Sequence, residues 1–150
     1  LLGSPGLNFD FLIFDLGNGF SEFHEAFLGI ASEISVLADS QYSSIANGYA
    51  FIKLIRRVQQ EVPIGVIINR SESQEEAVEA FNKLDLAARH FLGEEIFFKG
   101  WIQECPELKQ YAREMVPITQ WPGRGALFAS IRTIVQNRLY RAPLKALNWA

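Results

Sequence analysis

Apolar and polar residues alternate in blocks along this chain. Four short apolar runs predict β-strands. They cover residues 9–16, 34–38, 64–68 and 94–102. The runs at 9–16 and 64–68 are nearly continuous, which is typical of strands buried on both faces of a parallel sheet.

The segments between these runs have the three- and four-residue spacing of amphipathic helices. Predicted helix caps are Ser21 and Ser44, a further helical segment runs from Ser73, and Gly93 predicts its end. A short helix is predicted at 107–115 and a final one at 125–139. The apolar stripes expected to face inward are Phe23, Phe27 and Ile30; Ile45, Tyr49, Ile52 and Ile55; Ala77, Phe81, Leu84, Ala88 and Phe91; and Leu127, Ile131, Ile134 and Val135.

Strands that alternate with helices of this length predict βαβ units. The expected fold class is therefore α/β: a doubly wound, mostly parallel sheet with helices on both faces. No internal repeat or linker interrupts the pattern. Residues 1–150 are thus expected to form a single domain, with 140–150 as a tail.

Composition narrows the function classes. A hydrophobic content of 49% and 12 Phe in 150 residues predict a folded domain with a substantial core. The net charge of −3 and the lack of a basic stripe argue against nucleic-acid binding. A single cysteine, Cys105, excludes an internal disulfide framework and fits a reducing compartment. From this cysteine usage we expect a cytoplasmic protein. No apolar run approaches the length that spans a bilayer.

Polar residues follow three of the predicted strands. Asp15 comes with Gly17 and Gly19, Asp39 opens the segment through Ser44, and Asn69 precedes Arg70. In a parallel sheet, ligands bind outside the carboxyl ends of the strands. Asp15 could hold a magnesium-bound water, and Gly19 could offer its amide to a phosphate. The alternative is a buried strand that ends in a solvated turn.

Asn69 carries both an amide donor and an acceptor, which suits recognition of a base edge. Arg70 could lie against a ring or a phosphate. The alternative is that both are turn and surface residues.

Other candidates have weaker patterns. His24 and His90 lack the spacing of a zinc helix, and Cys105 has no adjacent base that would make it a nucleophile. Residues 122–125 at a helix start could bind an anion. The basic, amphipathic segment 138–149 could lie on an anionic membrane surface or pack against the domain.

The ordered series of these motifs resembles the MinD/ParA group of P-loop ATPases, especially its FlhG-like members. The likeness rests on 9–15 followed by Gly19, on 43–45 with Tyr49 and Ile52, and on 67–70. Residues 100–102 and 105–107 resemble the late strand and loop that flank the nucleotide base, and the likeness spans about residues 7 to 139.

The resemblance implies an ATP-dependent switch with ATP and Mg²⁺ as cofactors. Asp15 would be the magnesium-linked aspartate, bound through water, with Gly17 and Gly19 in the switch. The base would contact Asn69, Arg70, Ile102 and Pro106. An ATP-dependent homodimer, a protein partner and a role in flagellar number, division-site or cargo placement are implied. Peripheral contact at the inner membrane face through 138–149 is an expectation from the tail residues themselves, beside packing on the domain.

The chain departs from this family in two respects. It contains no glycine-rich loop with lysine and Ser/Thr, and no catalytic residue is assigned within it. The phosphate-loop strand of the family lies between the strand ending at Asp15 and the strand 34–38. We therefore expect the chain to be the C-terminal portion of a longer ATPase. The alternative is a non-catalytic protein-interaction module that keeps the fold but not ATP hydrolysis.

Overall fold

The computed structural model describes residues 11–117, 120–121 and 125–136. Five helices and three strands are described, numbered here in chain order. They are α1 (Glu22–Leu28), β1 (Ile34–Asp39), α2 (Tyr42–Val58), β2 (Ile64–Ser71), α3 (Gln74–Leu92), β3 (Phe97–Gln103), α4 (Leu108–Arg113) and α5 (Gly125–Ile134).

The three strands form one parallel sheet in the order β1-β2-β3. Two consecutive crossovers, α2 and α3, connect them in one direction. Because such crossovers are right-handed, both helices cover the same face. The predictions of strands at 34–38 and 64–68 are confirmed, whereas the predicted strand 94–102 begins only at Phe97 and ends at Gln103. The α/β class with a parallel sheet is confirmed.

The core lies between this face of the sheet and the two crossover helices. It is built from alternate residues of β1 and β2 and from the inner positions of α2 and α3: Val36, Ala38, Ile64, Val66, Ile68, Ile45, Ile52, Ile55, Ala77, Ala80, Leu84 and Ala88. Gly48 lets α2 pack closely against α3 and β1, since a Cβ at this position would lie 3.4 Å from Leu84 Cδ2 and 3.7 Å from Ala38 Cβ. The side chains on one edge of each helix thus build a continuous apolar layer.

The opposite face of β3 packs against α5. A bulge places both Lys99 and Gly100 beside the step from Val66 to Ile67. Gly100 has φ +146°, and a Cβ there would lie 2.7 Å from Ile134 Cγ1. Helices therefore flank the described sheet on both sides, with α5 seated against the bulge.

The predicted strand at 9–16 is wrong for residues 11–16, which form no strand. β1 lies at the edge of the described sheet, and residues 11–16 do not pair with its open side. Its apolar side chains, Phe11 to Phe14, are exposed instead of buried. Residues 9 and 10 lie outside the described residues.

The inward face of α1 also differs from the prediction. His24 and Leu28 are buried, whereas Phe23 and Ile30 are 63% and 61% exposed. The apolar spacing correctly predicted a helix. The side of this helix that packs inward, toward α2, is the one that carries His24 and Leu28. Phe27 is partly buried, and it contacts Phe14 and Phe23 at ring-centroid distances of 4.6 and 4.7 Å.

Of the two predicted serine caps, Ser21 occupies the N-cap position and Ser44 does not. Ser21 precedes α1, and the Ser73 hydroxyl accepts the Glu76 N–H at the start of α3. Gly93 closes α3 in a left-handed conformation, as predicted. Ser44 is not a cap, because α2 begins at Tyr42 and the Ser44 hydroxyl accepts the N–H of Asp39.

The last two predicted helices are present. The helix predicted at 107–115 is shorter, at Leu108–Arg113. α5 begins at Gly125 as predicted and buries Leu127 and Ile134. Phe91 of α3 and Ile131 of α5 are more exposed than predicted, at 69% and 37%.

Candidate functional site at the carboxyl edge of the sheet

The carboxyl ends of β1 and β2 bring Asp39 and Asn69 together. They are register partners, with Asp39 as the last residue of β1. Because side chains alternate along a strand, both belong to the face of the sheet turned away from α2 and α3. The prediction that the polar residues after these strands meet at one edge is confirmed for this pair.

Arg70 joins the pair through its guanidinium group. Its backbone is left-handed, with φ +56°, an uncommon conformation for a residue with a Cβ. Arg70 Nη2 donates to Asp39 Oδ2 in an ion pair. Two neighbouring strands are thus tied together at their ends by side chains 31 residues apart in the sequence.

The Asp39 carboxylate is held in its charged form. Burial acts to raise its pKa, but hydrogen bonds from Arg70 and from the Gln41 N–H outweigh that effect, so the pKa lies below its ordinary value. The Gln41 N–H lies 3.1 Å from Asp39 Oδ1. The two carboxylate oxygens therefore have separate partners, one on the β1–α2 loop and one on β2.

The start of α3 is connected to the same edge. Glu76 Oε2 accepts the Glu72 N–H at 2.7 Å, and the Ser73 hydroxyl accepts the Glu76 N–H at 3.2 Å. This is a capping box displaced by one residue. Hydrogen bonds from the Ser40 side chain and then from the Glu72 N–H hold the pKa of Glu76 below its usual value. The loops that follow β1 and β2 are therefore joined by hydrogen bonds.

Asn69 is partly buried, and its side chain makes no hydrogen bond within the described ranges. An amide in this position keeps both its donor and its acceptor for a ligand. About half of the Arg70 side chain is exposed as well, at 53%.

Ser71 is a residue of this edge that the sequence patterns did not single out. It is fully buried, and its hydroxyl has no hydrogen-bond partner in the part of the chain that the structure describes. Its carbonyl accepts the Glu104 N–H at 2.9 Å, which anchors the segment after β3 to the end of β2. Its burial depends on this non-local contact, and no local sequence signal distinguishes it from a turn serine.

The two base-binding candidates on the β3 side lie at its carboxyl end. Ile102 is a partly buried residue of β3, and Pro106 is exposed in the turn before α4. Beside them, burial and then the Glu107 carboxylate raise the pKa of Cys105, whose Sγ lies 3.4 Å from Glu107 Oε2. A thiol held in its protonated form is a poor nucleophile.

Asp15 lies in a different environment. It is exposed, and its Oδ1 accepts the N–H of Gly17 at 3.0 Å, within a turn where Gly17 and Gly19 have φ of +68° and +98°. The flanking rings contact α1 and α2: Phe14 packs on Phe27, and Phe20 lies 5.9 Å from Phe51. No described contact joins Asp15 to the Asp39–Asn69 edge.

The described residues contain no cluster of three or more His, Cys, Asp or Glu side chains that could hold a metal ion. His24 is buried, with Nδ1 2.8 Å from Ser21 Oγ, and His90 is exposed against Phe91. Two shallow surface depressions are lined by other residues, one on α5 around Phe128 and Arg132 and one on the first turns of α3 around Glu75 and Val78. Residues 122–124 and 138–149 fall outside the described residues.

Comparison with models of known protein families finds no match to this chain, and comparison with curated proteins finds none either. Within the described ranges, no helix has both the length and the apolar character that crossing a membrane requires.

Proposed function

We propose that this chain provides the base-binding end of a nucleotide-dependent switch of the MinD/ParA type. In this proposal its parallel sheet belongs to a doubly wound, P-loop NTPase-like domain. The observation that carries the proposal is the pairing of Asn69 with Asp39 at the carboxyl edge, beside an accessible Arg70. This is the edge at which open α/β sheets bind ligands.

The chemistry of the edge fits a purine. The Asn69 amide can donate to a ring nitrogen and accept from an exocyclic amine at the same time. A guanidinium is planar and stacks on aromatic rings, so Arg70 can cover the face of the same base. Ile102 and Pro106 would supply apolar contact from the end of β3. Adenosine or ATP is therefore the ligand we propose.

The phosphate and magnesium part of the site does not fit the residues present. The sequence has no glycine-rich loop with lysine and Ser/Thr. Asp15 is a single exposed carboxylate, whereas magnesium in phosphate sites is bound by carboxylates together with substrate phosphates. The proposal therefore requires that the phosphate-binding loop be supplied by residues outside these 150. No hydrolytic step is assigned to this chain.

As part of the same proposal, the switch acts as an ATP-dependent homodimer with a protein partner. Its role would be spatial organisation, such as flagellar number, division site or cargo placement. The support is the resemblance of the ordered motifs, together with the parallel α/β sheet.

Adenosine binding by the 150-residue chain tests the proposal. Titrations followed by saturation-transfer NMR should detect weak binding of adenosine and of ATP, lost in Asn69→Ala. Asn82→Ala is the matched control, because Asn82 is exposed on α3 away from the edge. Wild-type protein that binds neither ligand, or an Asn69→Ala variant that binds both normally, would overturn the proposal.

A second candidate function, a protein-interaction module, is favoured by one surface. Around α1, the side chains of Phe11, Leu12, Ile13, Phe23 and Ile30 are each at least half exposed. Where exposed apolar residues form a contiguous patch, they mark interaction sites on folded proteins.

Affinity capture can test this second function. A partner that is retained by wild-type protein and by Phe91→Ser, but lost with Phe23→Ser, would support it. The two phenylalanines are similarly exposed, at 69% and 63%, but lie on different helices, α3 and α1. Equal capture by all three proteins would contradict a role for the α1 surface.

A further inference from the structure

Arg70 is held in an unusual place by a single carboxylate. Continued strand geometry would put Arg70 on the face opposite Asn69, because successive side chains alternate across a sheet. The left-handed backbone at Arg70 breaks that alternation. Its guanidinium instead reaches Asp39, which is the register partner of Asn69. Asp39 thus holds the Arg70 guanidinium on the same side of the β2 end as the Asn69 amide.

The left-handed backbone carries a conformational penalty for a residue with a Cβ, and such a conformation persists only where surrounding contacts enforce it. The contacts in this case are the Asp39 ion pair and the Glu104 N–H bond to the carbonyl of the next residue, Ser71. One holds the Arg70 side chain, and the other holds the backbone that follows it.

The geometry points to Asp39 as the positioning residue that orients Arg70 for contact with a purine base. This inference rests on the proposed function and deepens it, because it names the group that fixes the stacking surface. Asp39 Oδ2 engages one edge of the guanidinium. The rest of the group stays accessible, and its planar face is available to a ring.

Asp39 is itself well supported for this task. Its Oδ1 accepts the Gln41 N–H, and its own N–H donates to the Ser44 hydroxyl. The carboxylate is therefore oriented by the β1–α2 loop before it meets the arginine. A support fixed at both its backbone and its side chain keeps the arginine from swinging freely into solvent, which reduces the ordering that binding would otherwise require.

The chain offers a control pair of similar exposure, in which the arginine also contacts a second carboxylate, that of Glu95. Arg89 and Asp85 on α3 form an ion pair with side-chain exposures of 52% and 18%, against 53% and 16% for Arg70 and Asp39. Asp85 lies outside the proposed binding edge. Asp85→Asn removes a similar ion pair and leaves the residues at the end of β2 unchanged.

The test combines adenosine affinity with the NMR signals of the Arg70 side chain. In Asp39→Asn we expect adenosine to bind about tenfold more weakly, the loss typical of one charge-assisted hydrogen bond. The guanidinium signals of Arg70, restrained and separate in wild-type protein, should merge as the group rotates freely. Asp39→Glu should recover part of both, and Asp85→Asn should change neither.

The outcomes separate this inference from the proposed function. If wild-type protein binds adenosine and Asp39→Asn binds it equally well, the positioning role is overturned while the proposed function stands. The positioning role is also overturned if the Arg70 signals stay restrained in Asp39→Asn. If wild-type protein binds no adenosine, the proposed function fails and the inference fails with it.

Discussion

Lys99 of β3 reaches across Gly65 of β2 to pair with Glu33, the residue before β1. A Cβ at Gly65 would lie 2.4 Å from Lys99 Cδ, which is closer than any real contact. Lys99 Nζ donates to Glu33 Oε1 and, at 2.8 Å, to Ser35 Oγ. The missing side chain of the middle strand is therefore what allows the two outer strands to be linked.

Gly65→Ala should destabilise the domain by about 2 kcal/mol, within the range for overpacking a core. The added methyl group would displace the Lys99 side chain, which is held by its backbone in β3 and by the hydrogen bonds of Nζ. It would also lie 2.8 Å from Phe97 Cε2. Urea unfolding followed by circular dichroism measures the loss.

Gly125→Ala is the control for this substitution, since a Cβ there would meet nothing within 4 Å. It should leave the free energy of unfolding nearly unchanged. A Gly65→Ala variant as stable as wild-type protein would show that Lys99 does not depend on this gap.

Glu33→Gln should destabilise the protein more than Lys99→Met does. The Lys99 side chain is only 3% exposed, so removal of the Glu33 charge leaves a buried ammonium group whose remaining hydrogen bond, to the Ser35 hydroxyl, does not balance its charge. Lys99→Met removes that charge and keeps the apolar stem, while Glu33, at 28% exposure, retains access to water.

Free energies of unfolding for both single variants and the double variant decide this prediction. In the double variant the loss should be smaller than the sum of the two single losses, since the pair is coupled. The reverse order of the single variants would mean that Lys99 is held by packing alone.

Asp39 should make stability depend on pH in the acidic range. Its pKa in the folded protein lies below its ordinary value, chiefly because of the Arg70 hydrogen bond, so folding favours the charged carboxylate. The resulting stabilisation is fully present above the unfolded-state pKa and is lost as the pH falls through the folded-state pKa. The stability gap between wild-type protein and Asp39→Asn should therefore be constant above about pH 5 and shrink below about pH 4.

Denaturant titrations of both proteins from neutral pH down into the acidic range provide this comparison. Asp85→Asn corrects for the general effect of losing one surface carboxylate. A gap that widens as the pH falls would have the wrong sign and would refute the charged state assigned to Asp39.

Asp15→Asn should change the free energy of unfolding by less than about 0.5 kcal/mol, as for other exposed substitutions. The carboxylate is exposed, and its described hydrogen bond, from the Gly17 N–H, can also be accepted by an asparagine oxygen. It should also leave adenosine binding unchanged, since no described contact links Asp15 to Asn69. A clear loss in either measurement would place Asp15 in a structural or base-binding role that its surroundings do not indicate.

Local sequence patterns predicted most of the elements and most of the inward faces of α2 and α3, but not the side-chain contacts between residues far apart in the sequence. The apolar runs at 34–38 and 64–68 form strands, and the Ser73 and Gly93 signals bound α3, because these features depend mainly on nearby residues. The run at 9–16 has an equally strong strand pattern. A strand also needs a neighbour, which a local pattern cannot supply.

The candidate site shows the same division. Asn69 and Asp39 could be placed together from topology, since both follow strands of a parallel sheet. The pairing of Arg70 with Asp39 could not, because it depends on a left-handed backbone at a residue that favours no such conformation. The burial of Lys99 was equally hidden, since its partner Glu33 lies 66 residues away.

Base binding at the carboxyl edge is tested most sharply by mapping backbone amide shifts during an adenosine titration of the 150-residue chain. We expect the largest shifts at 39–41 and 69–71, at the carboxyl ends of β1 and β2. Shifts confined to the outer face of α5 around Phe128 and Arg132, or no shifts at millimolar adenosine, would contradict a base-binding site at this edge.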